Sequence, residues 1–360
     1  MEQFCCATKI LSGPGAVGAL KTMQIQKLLL VVDPYFRQNG TAQRIIEEVN
    51  AEKTEIFDKI TPDPTVDQVA EGVAVVKDLL PDTVVALGGG STLDCAKAMT
   101  YFGGKQLRLI AIPTTSGSGS EVTDFAVLTH GKTKYPLVDR RLQPAVAILD
   151  GDLLKELPPK LVADCGFDVL SHALEAYVAR DAGAITDALA LEAFSAAYAL
   201  LPASFAGNRD VRQRIHNASA MAGMAFSQAG LGLCHAMSHV LGGMFHVPHG
   251  RLNAILLPAV ISRNAHAAGE KYASLARKAG LGGSADTIAL RNLKNGLIHL
   301  RRQLQMPATL QQAGIEPGQL YSKTDQIVAA VLQDPCCKTN PVLVEDFMVR
   351  AVLEEVAGHG

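Results

Sequence analysis

The chain lacks long apolar runs, a surplus of one charge and a cysteine framework, and each absence removes a class of protein. No uninterrupted apolar stretch reaches about 18 residues, so no membrane span is expected. The opening MEQFCCATKILSG has no basic segment leading into an apolar one, so no secretory signal is expected either. Lys and Arg number 33 against 35 Asp and Glu, a formal charge of -2, which gives no general affinity for nucleic acid or an anionic membrane. The 7 cysteines are odd in number, include the adjacent pairs Cys5–Cys6 and Cys336–Cys337, and form no CxxC. That pattern argues against disulfides and fits a reducing cytoplasm. No internal repeat or low-complexity segment is visible. What remains is a chain of 360 residues, 48% hydrophobic and 19% charged, too long for one comfortable core and rich enough for two.

The first half alternates two kinds of segment. KLLLVVD (27–33), EIFDKI, TVVAL, LRLIAI, FAVLTH and AVAILD are short apolar runs of the kind found in buried strands. TAQRIIEEV, the stretch after TPDPT and TLDCAKAM have helical periodicity. This alternation predicts a Rossmann-like α/β domain with a largely parallel sheet over residues 1–155. Beyond Leu161 long helix-period segments take over, which predicts an all-α domain over 156–360. The boundary falls near 151–160.

Two glycine motifs compete for a nucleotide. GPGAVG (13–18) spells GxGxxG, with Asp33 ending the next strand, yet only about two turns of helix fit behind it. A surface turn explains it better. Gly88-Gly89-Gly90-Ser91 directly follows an apolar strand and opens a helix carrying Asp94 and Lys97. Three glycines let backbone N–H groups approach a pyrophosphate, whose charge the helix N-terminus favours. PTTSGSGSEVT (113–123) adds Thr114, Thr115 and Ser116 after another strand, and loops at the carboxyl ends of an open parallel sheet converge on one crevice. Asp33 is placed to accept from a ribose 2′-OH and to repel a 2′-phosphate, favouring NAD over NADP.

Four of the 10 histidines fall within 231–250: His235, His239, His246 and His249, set among Gly, Met, Leu and Val. Neutral imidazoles in an apolar wall suggest a metal site. Asp168 and His172 lie four apart on a predicted helix, hence on one face. Asp168, His172, His235 and His249 would supply one oxygen and three nitrogens, a set for Fe(II) or Zn(II) rather than Mg(II). His239, one turn after His235, should border the metal without ligating it, where a proton relay or substrate-orienting group is expected. His246 is left as a site wall or a structural residue. Cys234 and Cys165 lie near proposed ligands and read as buried, inert thiols. A nucleotide in one domain and a metal in the other predict hydride chemistry in the cleft between the domains, with the metal as Lewis acid.

Several segments resemble the iron-containing (group III) alcohol dehydrogenases over essentially the full length. They include GGGSTLDCAKAM, AIPTTSGSGSEVT, KYPLVD, GFDVLSHALEAYV, HNASAMAGMAFSQAGLGLCHAMSHVLGG and VPHGRLNAILLP. ITPDPT, HVPHG and KTNPVLVEDFMVRAVLEE resemble the propanol dehydrogenases associated with bacterial microcompartments. The resemblance implies the dehydroquinate synthase-like fold shared by this family. It implies metal on Asp168, His172, His235 and His249, and cofactor phosphates on Gly88–Ser91 and Thr114–Ser116. It also implies Asp33 at the adenosine ribose, Lys134 along the cofactor cleft, His239 beside the nicotinamide, and no phosphate role for GPGAVG. Val240 and Gly151 stand where relatives commonly have proline. The expected activity is NAD(H)- and Fe(II)-dependent interconversion of short-chain primary alcohols and aldehydes, Zn(II) being the alternative ion. The expected partners are a small alcohol or aldehyde, a second copy in a homodimer, and a microcompartment shell or co-encapsulated enzymes. The alternative is a metal-dependent lyase or cyclase using NAD transiently on phosphorylated or polyhydroxy substrates. That needs a basic pocket, and 165–180 with 231–250 offer only Arg180.

Overall fold

The computed structural model describes residues 3–104, 107–131 and 133–358. Up to residue 154 the elements are β1 (Lys9–Ser12), β2 (Lys27–Val32), α1 (Pro34–Gln38), α2 (Thr41–Val49), β3 (Lys53–Phe57), α3 (Val66–Leu79), β4 (Thr83–Gly88), α4 (Gly90–Gly103), β5 (Arg108–Pro113), β6 (Phe125–His130), β7 (Thr133–Val138) and β8 (Val146–Leu149), joined by short 3-10 turns. Six strands form one sheet in the order β1-β8-β5-β4-β2-β3, and all its pairings are parallel. β6 and β7 make a separate antiparallel hairpin. FAVLTH is therefore a strand outside the main sheet. Its partner Thr133–Val138 and the edge strand β1 are strands that apolar runs alone do not reveal.

The central strands are apolar throughout because both faces of the sheet are covered. Leu29 and Val31 of β2, with Val84 and Ala86 of β4 and Leu109 and Ala111 of β5, enter a core with α3 and α4. The alternate residues Leu28, Leu30, Val32, Val85, Leu87, Ile110 and Ile112 enter the opposite core with α2. Each of the Val, Leu and Ile side chains contributes about 1.5–3 kcal/mol of gross transfer free energy. The TPDPT stretch resolves into a capping box: Thr65 Oγ1 accepts from Gln68 N–H, and Gln68 Oε1 accepts from Thr65 N–H.

The chain divides into a compact unit of Cys5–Glu156 and another from Leu157 onward. Among the described residues the second holds only helices: α5 (Pro159–Val178), α6 (Ala184–Phe205), α7 (Arg212–Ala229), α8 (Leu233–Phe245), α9 (His249–Lys278), α10 (Asp286–Gln303), α11 (Pro317–Ser322), α12 (Thr324–Gln333) and α13 (Asp346–Val356). An α/β unit with a parallel sheet followed by a helical unit is the fold class expected from the sequence. α5 is buried almost throughout, and α6, α7 and α9 pack along it. α6 is the one described helix long and apolar enough to cross a membrane by length and composition. It packs on α5 and α7 through Ala190, Ala193, Phe194, Ala197 and Leu201, and 33% of its apolar window is buried.

Candidate active site

In the α/β unit, the carboxyl ends of β2, β4 and β5 lie side by side. Asp33 N–H donates to Leu87 O (3.0 Å), and Thr114 N–H donates to Gly88 O (3.0 Å). From β2 the chain leaves toward β3, and from β4 toward β5 on the other side. The β2/β4 junction is therefore the switch point at which open α/β sheets bind ligands. Asp33 and Gly88 end these two strands. Asp33 is half-buried, caps α1 and accepts from Tyr35 N–H (2.9 Å).

No side chain caps the N-terminus of α4, which leaves the first backbone N–H groups of a 14-residue helix for an anion. A Cβ at Gly88 would collide with Thr92, and one at Gly90 would press on Ser118, so these glycines are required by close packing. Ser91 Oγ accepts from Asp63 N–H (3.3 Å). Asp94 has a role the sequence does not suggest: its oxygens accept from Ser120 Oγ (2.6 Å) and Val127 N–H (3.0 Å). It thus ties the 113–123 loop to α4, as does buried Lys97, which donates to Thr123 Oγ1 and Phe125 O. Thr114 and Ser116 are buried and Thr115 is half-buried. Lys134 pairs with Thr129 across the hairpin, and its side chain lies outside the described residues.

The rival GPGAVG turn is already occupied by the protein itself. Gly15 and Val17 N–H groups donate to the two oxygens of buried Asp150, both at 3.0 Å. The amides a phosphate would need hold a carboxylate of the chain.

In the helical unit, α5, α8 and α9 bring Asp168, His235 and His249 together, with one ligating atom of each within 4.8 Å of the others. Asp168 Oδ1 lies 3.5 Å from His249 Nε2 and 3.8 Å from both His235 Nε2 and His172 Nδ1. His172 stands at the edge of this group, its ring stacked between Phe226 (4.3 Å) and His235 (4.4 Å). Burial works to raise the Asp168 carboxyl, but the charges of His172, His249 and His235 outweigh it and hold the group well below its usual range. Burial opposes protonation of His235, yet Asp168 and Glu175 on either side push it up to about 9. His249 is held well below its ordinary value by burial. A carboxylate oxygen facing imidazole nitrogens inside an apolar wall fits a borderline dication such as Fe(II) or Zn(II).

Two carboxylates that the sequence reading missed organise these histidines. Glu175 is buried and lies seven residues after Asp168 on the same helix. It accepts from His235 Nδ1 (2.6 Å) and from the backbone N–H groups of Gly232 (3.0 Å), Cys234 (2.7 Å) and His235 (3.3 Å). It therefore caps α8 and directs His235 Nε2 toward Asp168. The spacing 168, 172, 175 was the available signal. The other is Asp334, whose Oδ2 lies 2.9 Å from His239 Nδ1. It is 95 residues from His239, and no local pattern marks it.

Asn253, fully buried, donates to Asp168 Oδ1 (2.9 Å) and accepts from Ser238 Oγ (2.6 Å). Gly250, next to His249, sits where a Cβ would strike the Asp164 carbonyl, so α9 can cross α5 closely only with glycine there. Arg251 beside it is engaged by Asp164 through two hydrogen bonds. His246 is exposed, caps the end of α8 at φ 57°, and is thus a helix-terminating residue. Burial pushes the Cys165 and Cys234 thiols up, away from thiolate, consistent with inert packing.

The α/β unit thus offers an uncapped helix N-terminus at its switch point that can receive an anion, and the helical unit a carboxylate–histidine cluster that can receive a dication. Residues 7–151 match the model of the iron-containing alcohol dehydrogenases, and 162–357 match that of the C-terminal part of the Fe-containing alcohol dehydrogenase family. The chain belongs to the iron-containing alcohol dehydrogenase family and is an oxidoreductase of that kind. It is 39% identical to 1-propanol dehydrogenase PduQ of Citrobacter freundii, over 99% of this chain and 100% of that one. It is 36% identical to an NADPH-dependent butanol dehydrogenase of Clostridium saccharobutylicum, over 98% and 97%. Among solved structures, an iron-containing alcohol dehydrogenase from Thermococcus thioreducens superposes with a TM-score of 0.92 at 31% identity, covering 98% of this chain and 99% of that one. A sulfoacetaldehyde reductase from Bifidobacterium kashiwanohense, solved in complex with NAD+, superposes with a TM-score of 0.91 at 27% identity, covering 100% of both.

Proposed function

We propose that the protein is an NAD(H)-dependent reductase of short-chain aldehydes to primary alcohols, regenerating NAD+, with Fe(II) held by Asp168, His172, His235 and His249. The observation that carries this reading is the convergence of Asp168, His235 and His249, with one ligating atom of each within 4.8 Å of the others. When bound, the ion would supply Lewis acidity toward a carbonyl oxygen. The chain's own residues do the rest. Glu175 accepts a hydrogen bond from His235 Nδ1–H and so leaves Nε2 as a donor atom toward the ion. Asp334 does the same for His239, which we assign to hydrogen-bond the substrate oxygen and exchange a proton with it.

The Gly88–Ser91 amides and the Thr114–Ser116 loop receive the dinucleotide phosphates. Asp33 receives the ribose hydroxyls, and its negative charge favours NAD over the phosphorylated cofactor that the Clostridium relative's name records. The substrate class follows from the propanol and butanol dehydrogenase relatives and from the apolar residues around the histidines. Homodimerisation and residence with other enzymes inside a microcompartment shell complete the proposal on the sequence resemblance.

The test is anaerobic NADH oxidation with acetaldehyde and propionaldehyde, using apoprotein reconstituted with Fe(II), Zn(II) or no metal. Turnover that requires metal and runs fastest with Fe(II) is expected. Tight NADH and metal binding without turnover of any small aldehyde would remove the reading.

A further inference from the structure

Beside the Asp168 group, the described residues contain one other set of three ligating side chains in mutual reach. His239 on α8 meets Asp334 and Cys336, which lie at the turn after α12, with one ligating atom of each within 4.8 Å of the others. We propose that His239, Asp334 and Cys336 form a second, inhibitory metal site for a thiophilic dication of the Zn(II) class.

The geometry is close to what such an ion needs. His239 Nδ1 and Asp334 Oδ2 are 2.9 Å apart. A tetrahedral site with bonds of about 2.0–2.1 Å to nitrogen and oxygen has an N···O edge of about 3.3 Å, and one to sulfur at about 2.3 Å an edge of about 3.5 Å. The nitrogen and oxygen must separate by a few tenths of an ångström, and the sulfur must close in from at most 4.8 Å. Asp334 is pre-oriented, because its Oδ1 accepts the Cys336 N–H (2.9 Å) and leaves Oδ2 toward the imidazole. The His239 side chain is 36% exposed and Asp334 12%, so an ion from solvent can reach them.

The electrostatics favour a dication and disfavour the alternatives. Burial, with Asp334 and Glu175 nearby, keeps Cys336 a thiol when no cation is present. The same negative charges attract a dication, which drives the thiol proton to solvent and binds the thiolate. The imidazole leaves Nδ1 to the ion and carries its proton on Nε2. The two negative ligands leave the occupied site neutral, so loading it raises the charge next to the first site by about one unit rather than two. This matters because the His239 and His249 ring centroids are only 5.2 Å apart. Occupying His239 withdraws the imidazole that the proposed reaction uses. The inhibition rests on that reading, whereas the binding does not.

The first group contains no sulfur, and this separates the two sites in one experiment. The iron-loaded protein is titrated anaerobically with Co(II), monitoring the near-ultraviolet thiolate-to-cobalt charge-transfer band, and with Zn(II), counting bound metal by equilibrium dialysis. The expected result is a thiolate band and a second equivalent of metal per chain. Both are lost in Cys336→Ser and weakened at least tenfold in Asp334→Asn, with the first equivalent retained. Zinc should depress turnover in step with the second equivalent, and Cys336→Ser should need at least tenfold more zinc for the same loss. One equivalent with no thiolate band, or a band that survives in Cys336→Ser, overturns the site. A second ion bound with full turnover keeps the site but overturns its inhibitory role and the assignment of His239 to the reaction.

Discussion

Replacing Glu175 by Gln isolates how much of the proposed metal site is built by a residue that never touches the metal. The side chain keeps its shape, but one carboxylate oxygen becomes an NH2 group. Oε2 serves Gly232 N–H, His235 N–H and His235 Nδ1, while Oε1 serves Cys234 N–H at 2.7 Å. Gln can choose its orientation, and the less costly one keeps the oxygen toward His235 and turns NH2 on Cys234 N–H. One buried amide is then orphaned at about 1–3 kcal/mol, and the remaining acceptor is neutral, so the folded state should lose about 2–4 kcal/mol. The His235 imidazole also loses the carboxylate that orders and enriches it. Loss of such an outer carboxylate costs about 10–100-fold in metal affinity, or about 1.4–2.7 kcal/mol. Competition of the protein with a chelator for Zn(II), together with the thermal midpoint of the metal-free protein, reads both quantities. A lowered midpoint with metal affinity within threefold of the parent would refute the orienting role and leave Glu175 a helix cap. No change in either would refute the argument entirely.

Other substitutions probe the remaining parts. Asp334→Asn removes the charged partner of His239 and should lower turnover about 10–100-fold with the first metal and NADH affinity unchanged; a loss of that metal would make His239 a ligand. Asp33→Gly should raise the NADP/NAD ratio of kcat/KM at least tenfold, beside a capping loss at Tyr35 of only about a few tenths of a kcal/mol, and an unchanged ratio takes Asp33 out of the site. Gly250→Ala forces α9 away from the Asp164 carbonyl and should cost about 1–3 kcal/mol while weakening metal binding through His249, as thermal melts and metal counts will show; a parent-like melt and metal count would mean the crossing is not tight. Asp150→Ala orphans the Gly15 and Val17 amides, so the melt should show a loss of about 1–3 kcal/mol at unchanged NADH affinity. A fall in that affinity would return the GPGAVG turn to the nucleotide.

What the sequence makes legible is what depends on neighbours in the chain. KLLLVV must be buried on both faces, and it alternates residue by residue between two cores. Asp168 and His172 share a helix face through their spacing, and the structure adds His235 and His249 to the same neighbourhood from two further helices. Glu175 lies within the same reach: i, i+4, i+7 puts it on the face already singled out, and its omission came from asking only for ligands. Asp334 and Asp150 differ in kind. Each acts on a partner 95 or more residues away, and each is an ordinary acidic residue in its own segment. The two glycine motifs show the consequence. A GxGxxG pattern states only that backbone amides can converge, and it does not state on what. Gly15 and Val17 converge on Asp150, whereas the amides opening α4 have no side-chain cap. What separates a turn from a binding loop is therefore whether some distant carboxylate has already taken the anion's place, and only the folded chain contains that fact.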